Sequence, residues 1–156
     1  MATIIRGDDN WDTALKAGSE AFAARYDGSA WLTLGTATIL GFNDDSTGDS
    51  FDNGSNYSTS TYKYTAPTTG VYMFWFSVYS AQNDVLNSFG LLKNSAKLNF
   101  QFAGDRYLAI GYSSDDVMFS WSGVVPLSSG DTIAVCTVDA SDVYTGHSQW
   151  GGCRLS

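Results

Sequence analysis

The amino-acid sequence predicts an all-β domain, either a sandwich or a jelly roll. Of its 156 residues, 15% are aromatic and only 15% are charged, with Glu20 the one glutamate. This composition favours strands and turns over helices. From residue 31 onward, apolar and polar side chains alternate with a period of two, which indicates strands with one wet face. Clusters of turn-forming residues separate these runs at a spacing typical of sandwiches. The clusters are 52–54, 66–70, 103–105, 113–116 and 128–131.

Two stretches alternate strictly and predict half-buried strands. In 97–102, polar residues at the odd positions alternate with leucine and phenylalanine. In 117–122, Val117, Phe119 and Trp121 share one face, and the residues between them share the other. Successive side chains of a strand point to opposite faces, so one face of each strand is expected in the core.

Two further stretches, 71–79 and 132–138, carry apolar side chains on both faces. In the first, Tyr72, Phe74 and Phe76 share the face suited to a sandwich core. Since an antiparallel sheet normally leaves one face to solvent, such strands need a second covering layer. A sandwich of 16.8 kDa supplies one core, so we expect the second face to be buried against another copy of the chain.

The first thirty residues have a different pattern. We expect 1–30 to form an N-terminal arm with a short helix, and 31–156 to form the β domain. Residues 12–25 are rich in alanine, and Asp12 is suited to the N-cap of a helix. The narrow apolar stripe of this helix packs either on its own domain or on a neighbouring subunit or assembly. The residues that would anchor the arm in the second case are Trp11, Leu15 and Phe22.

The charge balance excludes several classes of partner. Eight basic and sixteen acidic residues give a net charge of −8. Nucleic acids and anionic membranes carry the same sign, so neither is an expected partner. No apolar run approaches the roughly eighteen residues of a membrane span, and the N-terminus lacks the pattern of a secretory signal. We therefore expect a protein made in the cytoplasm.

Three motifs in order resemble the globular C1q domain. Residues 64–74 are similar to its signature, an aromatic before T-A-P and then G-x-Y-x-F. Residues 124–135 resemble its V-x-L-x-x-G-D-x-I-x-V segment, and 148–155 resemble its closing S-x-F-x-G-x-x-L strand. In physical terms, Gly70 permits a tight re-entry into the next strand, and the Gly130-Asp131 turn offers a carboxylate to nearby backbone N–H groups.

This resemblance implies a ten-stranded jelly roll of the C1q and tumour-necrosis-factor type, with a short N-terminal helical arm. It also implies a homotrimer packed around a threefold axis, with aromatic strands at the centre. The sequence departs from the family in having no collagen-like Gly-X-Y stalk and in carrying Trp150 at the closing aromatic position. The candidates for the core or the trimer interface are Tyr72, Phe74, Trp75, Phe76, Val135 and Trp150.

A stalkless domain of this kind resembles small virion proteins of tailed bacteriophages. The resemblance implies a trimeric capsid cement or decoration protein, located in the virion, whose partner is the major capsid protein or another virion protein. The alternative is a receptor-binding fibre tip or adhesin with aromatic loops that contact a glycan or a protein. The tyrosines considered for that role are Tyr57, Tyr62, Tyr107, Tyr112 and Tyr144.

Residues able to carry chemistry are few. His147 is the single histidine, and no G-x-S-x-G nucleophile motif occurs, so we expect neither an enzyme nor a cofactor. Three possibilities stay open for Cys136 and Cys153. They are buried thiols, they form a disulfide, or they bind zinc together with His147. The acidic stretch 44–54 is oxygen-rich enough for calcium, although Asx turns are the simpler explanation. Arg6-Gly7-Asp8 is either an adhesive tripeptide or part of the acidic start of the helix.

Overall fold

The computed structural model describes residues 20–48, 50–80, 87–98, 109–111 and 117–156. These ranges form twelve β-strands, and no helix within them could cross a membrane. The strands are β1 (Ala21–Arg25), β2 (Trp31–Leu34), β3 (Phe51–Asp52), β4 (Tyr57–Ser58), β5 (Lys63–Thr65), β6 (Gly70–Ser80), β7 (Asn87–Lys93), β8 (Ala96–Lys97), β9 (Ala109–Gly111), β10 (Val117–Leu127), β11 (Thr132–Thr137) and β12 (Ser141–Arg154).

The strands build two antiparallel sheets that face each other. The first sheet has the order β10-β6-β12-β1-β3, with β2 also paired to β12. The second has the order β4-β5-β11-β7-β8, with β9 also paired to β7. Consecutive strands such as β5 and β6, β6 and β7, or β10 and β11 lie in different sheets, so the chain crosses repeatedly between the sheets, as in a jelly roll. The prediction of an all-β sandwich is therefore confirmed.

Aromatic side chains fill the space between the sheets. The ring of Phe22 lies between those of Tyr57 and Tyr64, at centroid distances of 5.1 and 4.9 Å and nearly parallel to both. Trp150 of β12 meets Phe22 edge-on at 4.7 Å. Such pairs contribute about 0.5–1.5 kcal/mol each beyond the area that they bury. Strands β1, β4, β5 and β12 are thus joined through one aromatic cluster, to which Phe74 of β6 also belongs.

Strand β1 corrects the prediction for the N-terminal arm. The helix predicted over 12–25 is wrong for its last five residues, because these pair with β12 and β3. Phe22 and Ala24 point into the core, where each is 1% exposed. Phe22 is therefore a core residue and no anchor of an arm, and β1 belongs to the same sandwich as 31–156. Helix propensity in an alanine-rich stretch is weak compared with tertiary packing. The remaining arm candidates, Trp11 and Leu15, lie outside the described residues.

The strands predicted from alternation are confirmed where the structure describes them. In β10, Phe119 and Trp121 face the core and Met118 faces outward. Strand β6 covers the whole of 71–79 and is buried at alternate positions. Of 97–102, only the first two residues are described.

Strand β11 behaves differently from the expectation. Both of its faces are already enclosed within one protomer, since Ala134 and Cys136 are as buried as Ile133 and Val135 on the core side. This strand therefore gives no reason to invoke a second copy of the chain.

The turn between β10 and β11 is held by Asp131, as its sequence predicts. Gly130 adopts the left-handed φ of 88° that the turn requires. The Asp131 carboxylate accepts the N–H of Ser128 at 2.8 Å and the amide of Asn94 at 2.7 Å, and it pairs with the Lys93 ammonium at 2.8 Å. The bond from Lys93, followed by the other two, lowers the pKa of Asp131 to about 2.

Candidate functional site

The side of the first sheet that points away from the core carries an unusual set of apolar side chains. We call this side the outer face. On β6 it holds Met73 and Trp75, and on β10 it holds Met118 and Val124, of which Met118 and Val124 are about half exposed. A monomeric protein rarely leaves a continuous apolar patch in water. The apolar and aromatic residues of the outer face include Trp31, Phe51, Met73, Trp75, Tyr79, Met118, Val124, Tyr144 and Cys153.

The half of the outer face nearest the end of β12 forms an apolar band of Met73, Trp75, Val124 and Cys153. In the register of the sheet, Met73 lies between Val124 and Cys153. Trp75 lies against Gly151, where an added Cβ would stand 2.9 Å from the indole and 2.6 Å from a backbone oxygen of β1. Glycine therefore allows the indole to lie across β12. Partial burial in this band raises the pKa of the Cys153 thiol.

The opposite half of the outer face carries an aromatic cluster of Trp31, Tyr79, Tyr144 and His147. The ring of Tyr144 lies 5.0 Å from Trp31, 6.0 Å from Tyr79 and 5.2 Å from His147. Trp31 remains 48% exposed. Ser77 and its register partners Ser120 and Gln149 form a polar row between this cluster and the apolar band.

A surface cleft of about 510 Å³ opens beside the aromatic cluster. It forms where β1 ends and where the register of β12 against β6 shifts between Tyr144 and Gln149. The Arg25 guanidinium on its wall is held by Asp44 and Thr47, each at 3.0 Å. The residues that line the cleft are Arg25, Tyr26, Asp27, Gly28, Ser29, Met118, Thr145, Gly146, His147, Ser148 and Gln149.

The acidic stretch 44–54 is organised by Asx turns. The Asp44 carboxylate accepts the Thr47 hydroxyl, the amides of Ser46 and Thr47, and the Arg25 guanidinium, which hold its pKa well below the usual range. The Asp52 carboxylate accepts the amides at positions 54 and 57. Across the described ranges, no three His, Cys, Asp or Glu side chains come close enough to hold a metal ion. The carboxylates of Asp44 and Asp52 thus support loop backbone.

The cysteines lie in different sheets. Cys136 is a buried free thiol of β11, and Cys153 is a free thiol on the outer face of β12. Burial raises the pKa of Cys136 to about 11. His147 belongs to the aromatic cluster, so the structure does not bring the three proposed zinc ligands together.

The residues predicted for the core or trimer interface divide into two groups. Trp75 alone lies on the outer face. The other five are at most 1% exposed within one protomer and offer no surface to a neighbouring copy: Tyr72, Phe74, Phe76, Val135 and Trp150.

Sequence reasoning missed several outer-face residues, namely Trp31, Val124 and Cys153. Each of these residues points outward from its strand, while its neighbours along the strand point into the core. This position can be recognised only when the pairing partners of the strand are known. Among the tyrosines considered for ligand contact, Tyr57 is buried and Tyr144 belongs to the aromatic cluster. Tyr62 is partly exposed, and Tyr107 and Tyr112 lie outside the described residues.

Comparison with known proteins gives a likeness in structure. No protein-family model matches the sequence, and no curated protein matches it. Solved structures do match over 88% of the chain. The globular domain of zebrafish complement 1qA has a TM-score of 0.65 at 18% identity, with 98% of that chain covered. The chain has the fold of a C1q or tumour-necrosis-factor domain.

Two further structures extend this likeness. Eiger TNF from S. frugiperda has a TM-score of 0.67 at 16% identity, with 93% of that chain covered. Murine APRIL has a TM-score of 0.61 at 13% identity, with all of that chain covered. At such identities the likeness concerns the jelly roll and not the residues of a site.

Proposed function

We propose that the protein is a non-enzymatic homotrimer that packs the apolar band of each copy about a threefold axis. The observation that carries this proposal is the exposure of Met73 and Val124 beside a half-buried Trp75 on a sheet face that lacks a covering layer among the described residues. Burying such a face removes apolar area from water, at about 25 cal/mol per Å². Five of the six residues predicted for the core or trimer interface are buried within one protomer. The apolar band therefore offers the apolar surface through which copies of the chain would associate.

The fold type and symmetry support a threefold arrangement. The resemblance to C1q domains implies a trimer, and the same kind of fold supports that implication. A ring of three copies uses a heterologous contact, in which the outer face of one copy meets a different surface of the next. Strand β10, a long edge strand of the sheet, contributes Val124 to the apolar band. Covering this edge would also protect it from unspecific strand pairing.

We propose further that the trimer decorates the capsid of a tailed bacteriophage, with the major capsid protein or another virion protein as its partner. A trimer suits the local threefold positions of a capsid. Residue Glu20 lies beside Arg154, with 3.6 Å between their charged groups, and the backbone of Ser156 contacts Val71. Both Glu20 and Ser156 are therefore at one end of the sandwich, and the cleft is towards the other. The arm would grip the shell through Trp11 and Leu15 while the cleft end projects outward.

The second candidate is a fibre tip or adhesin of a virion. The specific observation that favours it is the cleft beside the aromatic cluster, which offers a site to a ligand. The number of copies per particle separates the two candidates. A decoration protein would be present in roughly hundreds of copies, because a capsid has many local threefold positions, and a fibre tip would be present in few.

A particle-binding experiment tests the decoration role. Deleting residues 1–19 leaves β1 and the sandwich intact, so the variant should stay folded and trimeric but fail to join capsids that lack the protein. The full chain, added at the same concentration, is the positive control. Deletion variants that join capsids as well as the full chain would show that the arm is no anchor.

A further inference from the structure

We propose that the cleft binds the ring of a neutral sugar, a pyranose, with the aromatic cluster as its stacking surface. This inference goes beyond the proposed structural function and does not depend on it. At about 510 Å³ the cleft lies within the range of roughly 300–1,000 Å³ of small-molecule sites.

The cleft offers hydrogen-bonding side chains of both kinds. Asp27 provides acceptors, Ser29 and Gln149 provide donors and acceptors, and His147 provides a ring nitrogen of each kind when neutral. None of these four side chains makes a hydrogen bond to another residue in the described part of the chain. Sugar hydroxyls both donate and accept, so such a mixed set suits them.

The charges on the walls argue against ionic ligands. The guanidinium of Arg25 is the one cationic group of the lining with a fixed charge, and it is already paired with Asp44 and bonded to Thr47. Asp27 adds a negative charge, which disfavours phosphate or carboxylate ligands. One carboxylate also falls short of the ligand set that a divalent cation needs. A neutral hydroxylated molecule remains the best match.

The aromatic cluster adds an apolar surface beside the cleft, to which it is joined through His147. His147 lines the cleft, and its ring contacts Tyr144, which in turn contacts the exposed Trp31. Flat aromatic faces pack against the C–H groups of a pyranose ring, while polar groups at the side bond its hydroxyls. The residues of the cleft and the cluster thus combine the two contacts that sugar recognition needs.

The site and the apolar band occupy different halves of the outer face. The polar row of Ser77, Ser120 and Gln149 separates them. A trimer contact through the apolar band is therefore compatible with an open cleft at the other end.

Saturation-transfer NMR on the full chain tests the proposal. The probes are the methyl pyranosides of glucose, galactose, mannose and N-acetylglucosamine, each measured separately. At least one should bind with a dissociation constant of about 1–10 mM, the range of a few directed contacts. Trp31→Ala and Asp27→Asn should each weaken binding at least about tenfold.

The matched control is Phe51→Ala. Phe51 is a similarly exposed aromatic in the other half of the outer face, and it belongs neither to the cleft nor to the aromatic cluster. This variant should bind as the parent does. No saturation transfer from any probe, or an equal loss in the Phe51→Ala control, would overturn the proposal. Sedimentation of the same samples keeps the two proposals apart, because a monomer that binds sugar would contradict only the trimer.

Discussion

Two tyrosines flank Phe22 in the core and differ in the hydrogen bonding of their hydroxyl groups. The Tyr57 hydroxyl donates to the carbonyl of Phe42 at 2.5 Å. The Tyr64 hydroxyl is buried and has no hydrogen-bond partner among the described residues. Burial raises the pKa of both phenols well above the ordinary value. Their rings make equivalent stacks on Phe22, so the pair isolates the energetic effect of one hydrogen bond.

We predict opposite effects of removing these hydroxyls. Tyr57→Phe leaves a buried carbonyl without its donor and should lower the free energy of unfolding by about 1 kcal/mol or more. Tyr64→Phe removes an unpaired polar group and should leave the free energy of unfolding unchanged or raise it by about 1 kcal/mol. Urea denaturation of both variants measures this. A loss in Tyr64→Phe as large as that in Tyr57→Phe would contradict the assigned partners.

The turn carboxylate Asp131 should make the protein sensitive to acid. Its folded-state pKa of about 2 lies below the ordinary value near 4. Its stabilising contribution is therefore complete above about pH 4 and is lost as the pH falls towards 2. Asp131→Asn should be less stable than the parent at pH 7, and the difference should shrink between pH 4 and pH 2.

Denaturation curves of parent and variant across this pH range provide the test. Asp44, whose pKa is also lowered, titrates in both proteins and cancels in the comparison. A difference in stability that does not change with pH would assign the effect of Asp131→Asn to lost geometry instead of charge.

At the scale of the strands, alternation predicted β6 and β10 well, because the sandwich core enforces a period of two. Strand β1 was missed for a physical reason. Its alanines suit a helix as readily as a strand, and only Phe22 signals a core position. The partner that decides the matter, β12, is more than a hundred residues away. Non-local pairing of this kind cannot be read from a local pattern.

The new position of β1 predicts different outcomes for two N-terminal deletions. Deleting residues 1–19 should leave thermal stability close to that of the full chain. Deleting residues 1–30 removes the Phe22 ring and the pair of Arg25 with Asp44, and should cost more than about 3 kcal/mol, comparable to a Phe→Ala change in a core. Circular dichroism melting compares the two. Equal stability of both variants would show that β1 is dispensable.

At the scale of the molecule, the sequence indicated that β6 needs cover on both faces. The structure places Trp75, one of the candidates for the core or the trimer interface, on the outer face of β6. The prediction mixed outer-face and core residues because both faces of β6 are aromatic. The cleft was not predictable. The cleft forms between residues 25–29 and 145–149, and it depends on a register shift in β12 that no local sequence pattern predicts.

A charge placed in the apolar band should disrupt association. Val124→Asp buries an unpaired carboxylate in each contact of the proposed trimer, which costs about 3 kcal/mol or more. Ser60→Asp adds the same charge at an exposed position of the second sheet's β4–β5 loop and is the matched control. Size-exclusion chromatography with light scattering should show dissociation only for Val124→Asp. Dissociation of both variants would point to net charge as the cause.

Sedimentation velocity on the full chain at micromolar concentration is the most direct test of association through the outer face. The proposed homotrimer should sediment as one species of three times the 16.8 kDa chain mass. A stable species of 16.8 kDa, with the apolar band open to solvent, would contradict the trimer and with it the proposed place on a capsid.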